Sequence, residues 1–131
     1  MKRPIVFSVA ALCATILACF SERGAGPGPS GAELCSVPVT VIDSMHFVVA
    51  MRDFRFRPDS ISVPTGATVT WVNCEEEGVE PHTTTSDAPD WDSPDLVPSA
   101  RYSHRFPTPG TFPYHCVPHE LLGMVGRIVV Q

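Results

Sequence analysis

Positive charge is scarce in this chain, with nine Lys and Arg against 14 Asp and Glu, a formal balance of −5 with histidines neutral. Two of the nine, Lys2 and Arg3, stand ahead of an apolar run over residues 5–17 that ends in small residues, the layout of an export signal. Without them, seven basic residues face 14 acidic ones, about −7, and such a surface excludes nucleic acid as a partner. Long apolar runs are missing too: residues 5–17 fall short of the ~20 needed to span a bilayer comfortably. No internal repeat is visible, and past the signal no stretch carries a helical period. Removal of the signal leaves about 113 residues, enough for one hydrophobic core and not for two.

The run Ile16-Leu17-Ala18-Cys19 has the form of a bacterial lipobox, with an aliphatic residue three positions before the cysteine and a small one directly before it. Cys19 is therefore expected to become the lipidated first residue. Residues 21–33 are rich in Gly, Pro and Ser without apolar period and read as a flexible tether. The chain thus divides into a signal (1–18), a tether (19–35) and one folded domain (36–131). It is expected at the periplasmic or outer cell surface, meeting a membrane only through lipid on Cys19.

Short β-rich runs separated by Pro, Gly and Asp predict an all-β sandwich or barrel, with strands at 39–42, 46–51, 60–63, 67–73, 82–85, 101–106, 110–116 and 124–130. In residues 101–106, Tyr102, His104 and Phe106 share the face expected to be core, and Arg101, Ser103 and Arg105 the other. His104 is accordingly read as a core or rim histidine and His46 as an ordinary strand residue, neither of them a ligand. Residues 94–98 are expected to form a connecting loop, with room for one helical turn.

The chemistry is concentrated in Tyr114-His115-Cys116-Val117-Pro118-His119-Glu120-Leu121-Leu122-Gly123-Met124, where a thiolate, an imidazole and a thioether recur as Cys-x2-His-x4-Met. With a second imidazole, two His and one Cys around a weak axial Met make the ligand set of a blue-copper site. The sulfurs favour Cu(I) and the imidazoles Cu(II), which suits reversible transfer of one electron. Zinc accepts Cys and His but has no use for the methionine. The second imidazole is assigned to His82 in Glu80-Pro81-His82-Thr83-Thr84.

Residues 66–73 (Gly-Ala-Thr-Val-Thr-Trp-Val-Asn), Pro81-His82-Thr83, the segment from Phe106 through Pro109-Gly110-Thr111-Phe112, Tyr114-His115-Cys116 and Met124 resemble, in order and spacing, plastocyanin and its bacterial relatives. The likeness runs over about residues 46–131, and the ligand-loop spacing is similar to that of plastocyanin and pseudoazurin. It implies a Greek-key β-sandwich (the cupredoxin fold) with one type 1 copper on His82, Cys116, His119 and Met124. The implied work is electron carriage between a donor and an acceptor redox protein by a monomer that is not an enzyme. In the family the residue matching His119 reaches the surface within an apolar patch, which Pro118, Leu121 and Leu122 would form here. Plastocyanin has Asn where this chain has Thr83, so the link between the two ligand segments is left open. A copper store or delivery protein using the same ligands is the alternative, although no Met cluster accompanies them. A nitrite-reductase-like catalyst would need further histidines, and His115, next to Cys116 in a strand, should face away from its sulfur.

Five cysteines are present. With Cys13 in the signal, Cys19 lipidated and Cys116 on copper, Cys35 and Cys74 remain, and an oxidising compartment predicts their disulfide. Finally, Glu75, Glu76, Glu77 and Glu80 precede His82, and Asp87, Asp90, Asp92 and Asp95 follow it. This acidic flank suits a basic cytochrome as redox partner.

Overall fold

The computed structural model describes residues 29–36 and 41–131. The predicted signal, Cys19 and residues 19–28 of the predicted tether lie outside the described residues. A short helix, α1 (Gly31–Ser36), precedes β1 (Val41–Asp43), β2 (His46–Arg52), β3 (Arg55–Arg57), β4 (Ser60–Val63), β5 (Thr68–Asn73), β6 (Thr85–Ser86), β7 (Arg101–Arg105), β8 (Gly110–His115) and β9 (Val125–Val130), with a 3-10 turn at Val117–Leu122. The strands form two sheets, β1-β2-β5-β7 with β3 also on β2, and β4-β9-β8-β6. β2 runs parallel to β5 and β4 parallel to β9, and the other pairs are antiparallel. The all-β sandwich expected from the sequence is therefore what forms.

Alternation sends Val49, Met51, Val69 and Trp71 from one sheet and Val63, Tyr114, Ile128 and Val130 from the other into a common core. Trp71 is its centre, fully buried, with the Tyr114 ring edge-on at 5.4 Å and Trp91 stacked at 5.5 Å. Fully burying side chains of this class stabilises by about 1.5–3 kcal/mol each, which is why the sandwich closes around them. β7 alternates as predicted, and His104 is half-buried against Trp91 at 5.1 Å. His46 is exposed and pairs with Asp43.

Four local expectations need correction. The tether was expected to extend through residue 35, yet residues 31–36 form α1. Ser30 and Glu33 cap it reciprocally: the Glu33 N–H donates to Ser30 Oγ (3.3 Å) and the Ser30 N–H to Glu33 Oε2 (2.6 Å). Leu34 covers Val48, Val72 and Cys74 on the outer face of the β2/β5 sheet, and the Cys35–Cys74 disulfide, as predicted from the cysteine count, fastens the helix there with Cα atoms 5.4 Å apart. Second, β3 was not foreseen, because Arg55-Phe56-Arg57 offers one apolar residue, too few to show a period. Third, the strand expected at 82–85 shrinks to Thr85–Ser86, while His82 makes an isolated bridge to Leu96. Fourth, residues 94–98 contain no helical turn.

Candidate metal centre

One end of the sandwich brings together the segment after β5 and the turn between β8 and β9. Asn73, fully buried at the end of β5, organises the first: its side-chain N–H donates to the Leu96 carbonyl (2.8 Å), and its Oδ1 accepts the Glu75 N–H (2.9 Å). The same Leu96 carbonyl accepts the His82 N–H (3.1 Å), and the Leu96 N–H returns to the His82 carbonyl (2.8 Å). The loop at 94–98 is thus the rail that fixes the His82 backbone.

The second segment is held by its own backbone. The Cys116 N–H donates to the Met124 carbonyl (3.0 Å), the His119 N–H to the Cys116 carbonyl (3.0 Å) and the Met124 N–H to the His119 carbonyl (3.2 Å). Pro118 is the second residue of the 3-10 turn, where a missing N–H costs nothing, and Gly123 ends it at φ 80°, in the left-handed region that favours glycine.

Thr83 joins the two. Its N–H donates to Cys116 Sγ (3.3 Å), and its hydroxyl oxygen accepts the Val117 N–H (2.8 Å). The link that the sequence left open at this position is a threonine hydroxyl.

His82 Nδ1, His119 Nδ1 and Cys116 Sγ converge: the two nitrogens are 3.0 Å apart, and the sulfur lies 3.3 Å from His119 and 3.7 Å from His82. All three residues are buried, as is Met124. On the far side of each ring a carboxylate waits, Glu75 Oε1 at 3.1 Å from His82 Nε2 and Glu80 Oε2 at 3.2 Å from His119 Nε2. An ionised carboxylate only accepts, so a neutral ring in either place carries its proton on Nε2 and presents a bare lone pair at Nδ1. Two imidazole lone pairs and a sulfur thus face one common point in a buried pocket, open to the Cys116 thiol proton or to a cation. The donor set therefore fits a soft metal ion, with the far-side carboxylates fixing the rings.

The electrostatics agree. Burial pushes the His82 imidazole below the ordinary histidine range, against the pull of Glu75, so the ring stays neutral. Burial likewise pushes the Cys116 thiol up, the Thr83 N–H opposing it, so a thiolate there calls for a cation. Glu75 is itself disfavoured by burial, but the Phe54 N–H and the His82 ring outweigh this and hold its pKa below the usual carboxylate value.

His115 turns outward, as its place in β8 required, and meets Asp87 at 2.7 Å. Two site expectations change. His119 does not reach the surface: it is 3% exposed, while Val117, Leu121 and Leu122 around it are exposed. The Phe54 ring lies against both imidazoles in T-shaped contacts. Glu75 does not belong to the acidic surface, since its side chain is 8% exposed and faces His82. Sequence reasoning missed both roles; a lone Phe in the polar run Arg52-Asp53-Phe54-Arg55 was the only signal available.

Comparison with known proteins agrees with this geometry. The family described as copper binding proteins, plastocyanin/azurin family, matches residues 43–131. Plastocyanin of Scenedesmus fuscus is 36% identical over 84 residues, 58% of this chain and 86% of that protein. Against the chloroplastic plastocyanin of Tetradesmus obliquus the match is 32% identical and spans 58% of that protein's length. Amicyanin of Paracoccus denitrificans is 29% identical over 126 residues, 92% of either chain. Among solved structures, a purple cupredoxin from Nitrosopumilus maritimus superposes with TM-score 0.56 at 26% identity, covering 64% of this chain and 98% of its own. A Cu(I) amicyanin variant superposes with TM-score 0.61 at 30% identity, covering 79% and 90%.

Proposed function

Because the chain belongs to the copper-binding plastocyanin/azurin family, we propose that it is a one-electron carrier, not an enzyme, with one type 1 copper held by His82, Cys116 and His119 and by Met124 as the weak axial ligand. The observation that carries this reading is the convergence of two Nδ1 lone pairs and a thiol sulfur within 4.8 Å of one another in a buried pocket. Bound copper would supply the Cu(I)/Cu(II) couple. The chain's own part is to keep the donors still. Thr83 holds the sulfur, the Leu96 backbone holds His82, the Cys116 and Met124 backbones hold the turn, and Glu75 and Glu80 hold the ring tautomers. A donor set fixed in advance changes little between oxidation states, which is the demand of fast electron transfer.

The exposed apolar residues Val117, Leu121 and Leu122 belong to the ligand turn, Asp95 lines a surface groove with Val117 and Pro118, and Glu76, Glu77, Asp87, Asp90 and Asp92, in the segments flanking His82, are exposed as well. An apolar contact with exposed negative charge in the flanking segments fits a basic redox protein, such as a cytochrome, as donor or acceptor. The domain acts as a monomer, exported and tethered through lipid on Cys19. Potentiometric titration of the copper-loaded chain should give a reversible one-electron wave, and stopped-flow mixing should show reduction of, or by, a basic cytochrome. A copper form with no reversible couple would remove this reading.

A further inference from the structure

The carrier reading puts an imidazole edge where a partner can reach it, yet His119 is 3% exposed. What lies over it is the turn between β2 and β3. Two residues make that turn, Asp53 and Phe54, with φ 55° and 54°. Two-residue hairpins of the type I′ kind need positive φ at both positions, and glycine normally fills the second. A bulky aromatic there is uncommon and strained.

The strain coincides with a set of contacts. The Phe54 ring meets His119 at 4.9 Å and 83°, and His82 at 5.5 Å and 86°. The Phe54 N–H donates at 2.9 Å to Glu75 Oε1, the oxygen that also lies 3.1 Å from His82 Nε2. Arg52 Nε donates to the Cys74 carbonyl (3.0 Å) and Arg57 pairs with Asp53 (2.8 Å), so the turn is fastened at both shoulders. Phe54 is itself 37% exposed, so its outer face is presented to solvent while its edge covers the imidazoles. Glu80, the other group on His119, is 78% exposed and shields little.

We propose that Phe54 is a shield built over the paired imidazoles and that Glu75 is the latch that holds it, so that small reagents and redox partners meet the Phe54 ring before they meet His119. The shield takes its meaning from the carrier reading, but it is a property of the folded chain whether or not metal is bound. The backbone of the turn is spent on placing this ring.

The test uses the metal-free full-length chain and diethyl pyrocarbonate, with carbethoxylation followed by peptide mass spectrometry at each histidine. Exposed His46 sets the intrinsic rate, and half-buried His104, on β7, reports an intact fold. Phe54→Gly removes the ring and suits the left-handed backbone, so it should raise the His119-to-His46 rate ratio by about tenfold or more while His104 stays protected and the melting midpoint does not fall. Glu75→Ala should raise the same ratio by releasing the turn. A His119 ratio unchanged in Phe54→Gly would overturn the shield, and one unchanged in Glu75→Ala would overturn the latch. Loss of His104 protection in Phe54→Gly would overturn the claim that the turn is strained for the sake of the cover. Because no copper is present, these results stand apart from the carrier reading, which fails separately if the loaded chain shows no reversible couple.

Discussion

Replacing Thr83 by Val keeps the shape of the side chain and removes the hydroxyl oxygen that joins Thr83 to the turn between β8 and β9. That oxygen accepts the Val117 N–H at 2.8 Å, at the start of a 3-10 turn whose N-cap, Cys116, supplies no side-chain cap of its own. Thr83 is 7% exposed, so water is poorly placed to take over. Losing a hydrogen bond costs about 0.5–1.5 kcal/mol, and stranding a buried donor about 1–3 kcal/mol. Val117 is 56% exposed, which lets its N–H recover part of its hydration and favours the low end of the range. The net loss should be about 1–2 kcal/mol, with a little returned by the added methyl. For a domain of about 100 residues this lowers Tm by about 4–16 °C. Urea titration of the metal-free protein should show a lower midpoint at unchanged slope for Thr83→Val, and a midpoint near wild type for Thr83→Ser, which keeps the oxygen. Equal midpoints for wild type and Thr83→Val would refute the idea that this hydroxyl joins the ligand segments.

Three further outcomes are expected. Gly126 faces Tyr114 across β8 and β9, and a Cβ there would sit 2.4 Å from the ring carbon Cζ, so Gly126→Ala must shift a buried ring; it should cost about 1–3 kcal/mol by chemical denaturation, whereas an unchanged or raised midpoint would contradict the packing. Burial holds the folded His104 below the ordinary histidine pKa, so the unfolded chain takes up the proton first and the stability from the neutral ring, full above about pH 6.5, is lost as pH falls through the folded pKa; His104→Gln in the metal-free protein should show a flatter stability profile from pH 7.5 to 5.5, and parallel profiles would refute this. Glu76 and Glu77 are exposed and Glu75 is not, so Glu76→Gln with Glu77→Gln should slow electron transfer with a basic cytochrome at low salt and converge on wild type above about 0.1 M, and identical salt profiles would exclude this pair from docking.

The fold was legible where chemistry and period repeat. Thr68–Asn73 alternates clearly enough to be placed as a strand, and Cys-x2-His-x4-Met sets its donors on one short turn whatever surrounds it. Cys35 and Cys74 were paired by counting, because the other three cysteines were assigned other uses. What the sequence hid is non-local or too short to repeat. Phe56 between two arginines makes a strand only because β2 lies beside it. Residues 30–33 form a Ser-x-x-Glu cap, but Gly and Pro ahead of them set the composition of the segment, and the helix is held by packing on β5 and a disulfide to a cysteine 39 residues away in sequence. Glu75 looked like one of three surface carboxylates, since only the fold shows that it turns toward His82 while its neighbours turn out. The burial of His119 was likewise invisible, because the residue that covers it lies 65 positions earlier, at the tip of a hairpin whose second strand the sequence did not reveal.

The central claim, a type 1 copper on His82, Cys116, His119 and Met124, is tested most directly by the visible and electron-spin spectra of the copper-loaded protein beside those of Cys116→Ser. The wild type should show an intense thiolate-to-copper band with the narrow copper hyperfine splitting of a covalent Cu–S bond, both absent from the variant. A colourless wild type that takes up zinc but not copper, or a band that survives in Cys116→Ser, would contradict it.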